Sequence, residues 1–180
     1  MSNDAKVIQE LRKLTEAPIL DCKKVLLECN GDMKKAKEIL LERGFKLAQK
    51  RGDRVTAQGL VVSYIHHNGS IGVLAEINCE TDFVAKNSVF KELADEITMQ
   101  IAGCAPLYVC REDIPADILD EMPEKEKESY CKTHCLLEQA YVRDSSLTIN
   151  DLIVKTIGRL GENVRVRRFA RYKIGEYGDK

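Results

Sequence analysis

The sequence predicts an α+β protein, with a small three-helix bundle followed by a core in which a three-stranded antiparallel sheet packs with helices. Three observations predict it. The first 44 residues break into three short amphipathic stretches bounded by helix-capping residues. Two runs rich in β-branched residues, Leu60–His67 and Ile71–Cys79, flank Asn68-Gly69, a dipeptide that tolerates the positive φ angles of a tight hairpin turn. From Val164 to Ile174 apolar and charged side chains alternate, as in a half-buried strand.

In the first helix Val7, Ile8, Leu11 and Leu14 recur at helical spacing behind the candidate caps Ser2, Asn3 and Asp4. Pro18 suits the first turn of a second helix, whose buried stripe is Cys22, Val25, Leu26 and Cys29 and whose left-handed stop is Asn30-Gly31. Asp32 caps a third helix carrying Met33, Ala36, Ile39 and Leu40, and Gly44 is expected to end it. Helices this short bury little alone, so a small bundle is the natural solution. Residues 45–58 hold Lys46, Lys50, Arg51 and Arg54 around Gly52 with little apolar periodicity and read as a polar linker. The expected division is a helical domain at 1–50, a linker at 51–58 and an α+β core at 59–180.

Within the core, Ile71, Val73, Ala75, Ile77 and Cys79 fall on one face of the second strand, and Gly72, Leu74, Glu76 and Asn78 on the other. A helix follows over about Ser88–Ala102, with Phe90, Leu93, Ala94, Ile97 and Ile101 as its stripe. Eight acidic and three basic residues fill 111–128, which Pro115 and Pro123 break into short helical pieces with a solvated surface. Thr148-Ile149-Asn150-Asp151 resembles a capping box with Asp in the Glu position, opening a helix that ends at Gly161. Along the last strand, Val166, Ala170, Tyr172 and Ile174 are expected on one side, and Arg165, Arg167, Phe169, Arg171 and Lys173 on the other.

Composition narrows the function. A chain of 180 residues has room for one ordinary domain, or for a small helical module and a core, which excludes a large multidomain enzyme. Residues 1–54 hold 13 basic and 9 acidic side chains, a net +4 that leaves −5 for the remainder of a chain whose total is −1. That balance lacks the cationic surplus of generic nucleic-acid binding. No stretch approaches the roughly 18 apolar residues of a membrane span, and Met1-Ser2-Asn3-Asp4-Ala5-Lys6 has no signal-peptide core, so a cytoplasmic protein is expected. Seven irregularly spaced cysteines, an odd number, read mostly as reduced thiols.

Each chemical motif has an ordinary alternative. Cys131-Lys132-Thr133-His134-Cys135 offers thiolates and an imidazole, but at most three metal ligands at unfamiliar spacing, so helix-borne free cysteines are the expectation and no metal is assigned. His66 and His67 precede the hairpin turn whereas Cys79 lies at the far end of the next strand, which works against a nucleophile pair. The basic face of the last strand, with Phe169, could track single-stranded RNA, but exposed sheet faces carry charge in any case. Phosphate loops, HExxH, GxSxG and dinucleotide fingerprints are absent from the sequence, and no enzymatic activity is expected.

Thr81-Asp82-Phe83-Val84-Ala85-Lys86-Asn87, after Glu76-Ile77-Asn78-Cys79-Glu80, closely resembles the signature of the elongation factor Ts family, the bacterial and organellar exchange factors for elongation factor Tu. Glu10-Leu11-Arg12 through Thr15, Asp21-Cys22-Lys23-Lys24 and Asn30-Gly31-Asp32 are similar to that family's N-terminal ubiquitin-associated-like domain. Phe169 to Glu176 is similar to its closing strand. Departures are Pro18-Ile19-Leu20 in place of a Gly-Met-Met type stretch, Ala140 where Pro is usual, and Gln100 where long members often carry a partner-contacting His.

The resemblance implies elongation factor Tu as partner, homodimerisation of a short single-module form through the core, and no cofactor beyond the partner's own GDP and magnesium. It implies that Asp82 and Phe83, flanked by Thr81 and Val84, contact helices of the partner's G domain, with Phe83 entering a pocket between them. Position-for-position matching adds Arg12, Ile19 and Leu20 as a second contact and Ile71 and Gly72 as a third. The rival readings are an adaptor built on the three-helix domain and a small RNA-binding module.

Overall fold

The structure, a computed structural model, describes residues 3–15 and 17–176 of the 180; the candidate cap Ser2 lies outside them, and the side chains of Asn3 and Asp4 are likewise not described. In chain order the elements are α1 (Asn3–Thr15), α2 (Ile19–Glu28), α3 (Met33–Arg51), β1 (Gln58–Ile65), β2 (Ile71–Cys79), α4 (Asp82–Ala85), α5 (Ser88–Cys104), α6 (Ala116–Asp120), α7 (Glu124–His134), β3 (Ala140–Tyr141), β4 (Asp144–Thr148), α8 (Ile149–Leu160) and β5 (Val164–Lys173), with 3-10 turns at Arg111–Asp113 and Leu136–Glu138. The fold is α+β. The chain forms two compact units, residues 1–55 with 154–163 and residues 56–153 with 164–180.

In the first unit, the apolar stripes of α1, α2 and α3 meet in a core of Leu11, Cys22, Val25, Leu26, Cys29, Ala36 and Leu40. Asn30 and Gly31 take φ values of 50° and 85°, the left-handed stop that the sequence signals. Asp32 Oδ1 then accepts the Lys35 N–H at 3.1 Å and starts α3. Two expectations fail here. Gly44 does not end α3, which runs on to Arg51. Gly44 carries no strained φ, and the i,i+4 pair Glu42–Lys46 at 2.7 Å bridges it within a run of good helix formers, so residues 45–51 are helical. Leu14 points to solvent instead of into the bundle, because Thr15, whose hydroxyl donates to the Leu11 carbonyl at 2.8 Å, fills the buried position beside it. After α3, the Asn163 side chain donates to the carbonyls of Gly52 (3.3 Å) and Arg54 (3.0 Å).

In the second unit the strands run antiparallel in the order β1-β2-β5. Val73, Ala75, Ile77 and Cys79 of the central strand face inward with Val164 and Val166 of β5. The α5 helix packs on β1 and β2, burying Phe90, Leu93, Ala94, Ile97 and Ile101, the stripe read from the sequence. Thr148 and Asp151 cap α8 reciprocally: Asp151 Oδ2 accepts the Thr148 N–H at 2.9 Å, and Thr148 Oγ1 accepts the Asp151 N–H at 3.1 Å.

Two details of the sheet depart from expectation. In the hairpin only Gly69 has positive φ, +68°. Asn68 instead uses its side chain, Oδ1 accepting from Ser70 N (3.0 Å) and Oγ (2.7 Å), so the loop closes as an Asx turn with the Gly69 N–H on the His66 carbonyl at 2.7 Å. In β5 a bulge at Arg167 changes the phase: Val166 pairs with Ile77, but Arg168 pairs with Glu76 and Phe169 with Ala75. One inserted residue moves every later side chain to the opposite face. Phe169 and Arg171 therefore join the inner side, and Ala170 and Tyr172 face outward.

Candidate functional site

The segment leaving β2 is built from consecutive caps. Cys79 is fully buried, and its thiol donates to the Thr81 carbonyl at 3.1 Å, turning the chain off the sheet. Thr81 is extended (φ −127°, ψ 157°), and its hydroxyl accepts the Val84 N–H at 3.4 Å, opening the one-turn helix α4. Asn87 then caps α5, with Oδ1 accepting from Val89 N at 2.9 Å. Packed on β1 and β2, α4 turns Ala85 inward. Phe83 points outward and is 80% exposed. Beside it Lys86 Nζ meets Asp82 Oδ2 at 2.6 Å, and this hydrogen bond holds the Asp82 carboxyl below its usual range.

An exposed Phe contributes nothing to its own core, yet caps at both ends fix its backbone. Burying such a ring against another surface offers roughly 1.5–3 kcal/mol. The arrangement can present an apolar knob beside a carboxylate.

The other predicted contact residues also reach solvent. Arg12 is exposed on α1, and Ile19 and Leu20 open α2 with their side chains outside the bundle, Leu20 at 76%. Leu14, missed by sequence reasoning, is exposed as well, so three large aliphatics in seven residues lie around the α1–α2 connection; their closeness to Pro18 was the available signal. Ile71 and Gly72 are half-buried at the start of β2. The outer sheet face carries Val61, Ile65, Leu74, Ala170 and Tyr172, with Arg168 Nε on Glu76 Oε2 at 2.8 Å among them. The β5 bulge hid this apolar face from the sequence.

The weaker motifs are taken apart. His66 hydrogen-bonds Tyr64 at 3.0 Å near the turn, while Cys79 lies at the other end of the β1–β2 pairing, opposite Gln58. The basic face expected on β5 does not exist as one surface: Arg171 is turned inward, donating to the Ala102 carbonyl at 3.3 Å and pairing with Glu176 at 2.6 Å. His134 lies against the Tyr130 ring, with centroids 4.3 Å apart, and the group near Cys131 and Cys135 is Glu138 instead. Gln100 is fully buried, accepting from Val142 N at 2.9 Å and donating to the Ala140 carbonyl at 3.1 Å, so it is structural. Among the described residues no helix is long and apolar enough to cross a membrane.

Residues 5–133 match the sequence model of the family described as "Elongation factor TS". A Fervidobacterium nodosum protein named elongation factor Ts is 43% identical, over 98% of this chain and 100% of that protein. One of the same name from Thermotoga maritima is 47% identical over 94% of this chain and 95% of its own length, and one from Thermoanaerobacter pseudethanolicus is 46% identical over 96% and 95%. With the capped Thr81–Asn87 segment in place between sheet and helix, these matches settle the family: the chain belongs to elongation factor Ts.

Proposed function

We propose that this chain is the guanine nucleotide exchange factor for elongation factor Tu, acting in the cytoplasm without bond-breaking chemistry and without a cofactor of its own. The observation that supports it most is Phe83, displayed on a capped turn where a folding role would bury it.

A nucleotide bound at nanomolar strength is held by about 12 kcal/mol. To speed its release, a factor must bind the empty partner better than the loaded one, and by linkage nucleotide then weakens the factor's grip equally. Thr81, Asp82, Phe83 and Val84 press on the partner's G domain, where the ring displaces elements that hold magnesium and phosphate. One ring supplies too little alone, so Arg12, Ile19 and Leu20 dock as a second region and Ile71 and Gly72 as a third. In this reading residues 1–50 form a ubiquitin-associated-like docking domain, 51–58 a linker and 59–180 the exchange and dimerisation core.

The core dimerises through the outer sheet face. Val61 (67% exposed), Ile65, Leu74 and Tyr172 (75%) give this face an apolar surface, broken by Ser63 and the Glu76–Arg168 pair, that a second copy bearing the same residues covers by sheet-on-sheet packing.

The test is to mix the purified chain with elongation factor Tu loaded with a fluorescent GDP analogue and an excess of unlabelled GDP. Faster loss of fluorescence at catalytic amounts of the chain is expected. An unchanged rate would leave an adaptor role instead.

A further inference from the structure

We propose that Cys131, Cys135 and Glu138 form a binding site for a thiophilic divalent cation of the zinc class. Two thiol sulfurs and a carboxylate oxygen lie within 4.8 Å of one another. Zinc bound at about 2.3 Å to sulfur and 2.0–2.2 Å to oxygen sets tetrahedral ligands roughly 3.6–3.8 Å apart, so small side-chain rotations close the set. The soft thiolates select zinc over magnesium or calcium.

The backbone places these groups without an ion. Cys131 sits in the last turn of α7, and the Cys135 N–H bonds its carbonyl at 2.8 Å. The following 3-10 turn folds back, Glu138 N donating to the Cys135 carbonyl at 3.0 Å. From the other side, Tyr108 N donates to the His134 carbonyl at 3.1 Å and the Tyr108 carbonyl accepts from Leu136 N at 2.9 Å. Cys131 and Cys135 are buried with Ile114, and Tyr108, Ile118, Leu119 and Tyr130 pack against them, which limits competition from water.

Arg111 Nη2 donates to Glu138 Oε2 at 2.6 Å and its Nε to the other carboxylate oxygen, which orients the carboxylate while each oxygen keeps a lone pair for the ion. Binding releases the two thiol protons to solvent; two thiolates, a carboxylate and a dication then carry a net −1 facing the Arg111 guanidinium, which is shared with Glu128 at 2.7 Å. Three protein ligands leave the fourth position to a water molecule.

The test is a cobalt(II) titration of the whole chain, reduced and stripped with chelator. Thiolate-to-cobalt charge-transfer absorption and the visible bands of a tetrahedral ion are expected, saturating at one ion per chain and abolished by zinc. Cys131→Ser and Cys135→Ser should each weaken binding at least about tenfold, whereas Cys110→Ser should leave it intact. Circular dichroism checks that the variants fold, and the unsubstituted chain decides alone if they do not. Octahedral cobalt without charge transfer, or unchanged binding in the folded double Cys131→Ser/Cys135→Ser chain, would overturn the proposal.

Discussion

Phe83 and Ala85 share one helical turn and face opposite ways, the ring 80% exposed and the methyl group 6%. Ala85 anchors the turn to the sheet, and the anchor keeps the ring outside. Phe83→Ala should therefore leave stability within about 0.5 kcal/mol, as for surface substitutions. In the proposed complex the same change removes roughly 1.5–3 kcal/mol of burial, which corresponds to GDP release slowed by about 10- to 150-fold. Urea unfolding paired with stopped-flow GDP release measures both. Release at the unsubstituted rate would take Phe83 out of the mechanism.

Besides its proposed contact with the partner, Thr81 acts through the turn. Its hydroxyl caps α4, and losing a cap costs about 0.5–2 kcal/mol of local helix stability. Thr81→Ala should loosen the turn and slow exchange, while Thr81→Ser restores the oxygen and should restore the rate. Equal rates for the two variants would mean that the cap does not position the ring.

Much of this architecture is legible in the residues because its signals are local. Asp32, Thr148 with Asp151, and Asn30-Gly31 mark helix ends through bonds that span at most five residues, and the stripe of α5 follows from period alone. The errors arise where a distant partner decides. The bulge at Arg167 is fixed by pairing with β2, so alternation along β5 predicts the wrong outer face. Gly44 is the exception, because the Glu42–Lys46 pair that spans it is itself local. At the candidate site, periodicity makes Phe83 a core aromatic; only the resemblance of the whole Thr81–Asn87 segment singles it out, because exposure depends on which side of α4 meets the sheet. Glu138 approaches Cys131 and Cys135 through a fold-back that sequence spacing does not disclose.

The outer sheet face supplies the third prediction. Leu74 and Tyr172 are exposed on neighbouring strands, so charging them leaves the inner core untouched. Leu74→Lys with Tyr172→Glu should yield a folded monomer in sedimentation analysis, where the proposed function predicts a dimer for the unsubstituted chain. A dimer surviving both changes would place the self-association surface elsewhere.

Tyr141 gives a pH prediction. Burial first, and then its 2.6 Å bond to Glu96, push the phenol up from 10.0 to about 12. With the folded value above the unfolded one, the contribution is fully present below pH 10 and is lost as pH rises through about 12. Tyr141→Phe should cost about 1 kcal/mol at neutral pH and flatten that alkaline loss. Unfolding curves across this pH range compare the two chains. An identical alkaline slope would show that Tyr141 does not titrate late.

Among the described glycines, Gly59 leaves a side chain the least room. It pairs with Asn78 across β1 and β2 at φ +152°, and a Cβ there would stand 2.2 Å from the Ile77 carbonyl oxygen and 2.7 Å from Asn78 Cα. Both obstacles belong to the central strand, which is hydrogen-bonded on its two sides and cannot retreat without opening the β2–β5 ladder as well. Gly59→Ala should cost about 4 kcal/mol or more, a large share of the 5–15 kcal/mol that holds an ordinary domain together. Gly69→Ala is the control: its φ is +68° but nothing lies within 4 Å of the added carbon, so only the left-handed strain of about 1–2 kcal/mol remains. Urea midpoints rank the two. If Gly59→Ala proves no worse than Gly69→Ala, β1 can move away from β2 at Gly59, and the close approach there is not a condition of the fold.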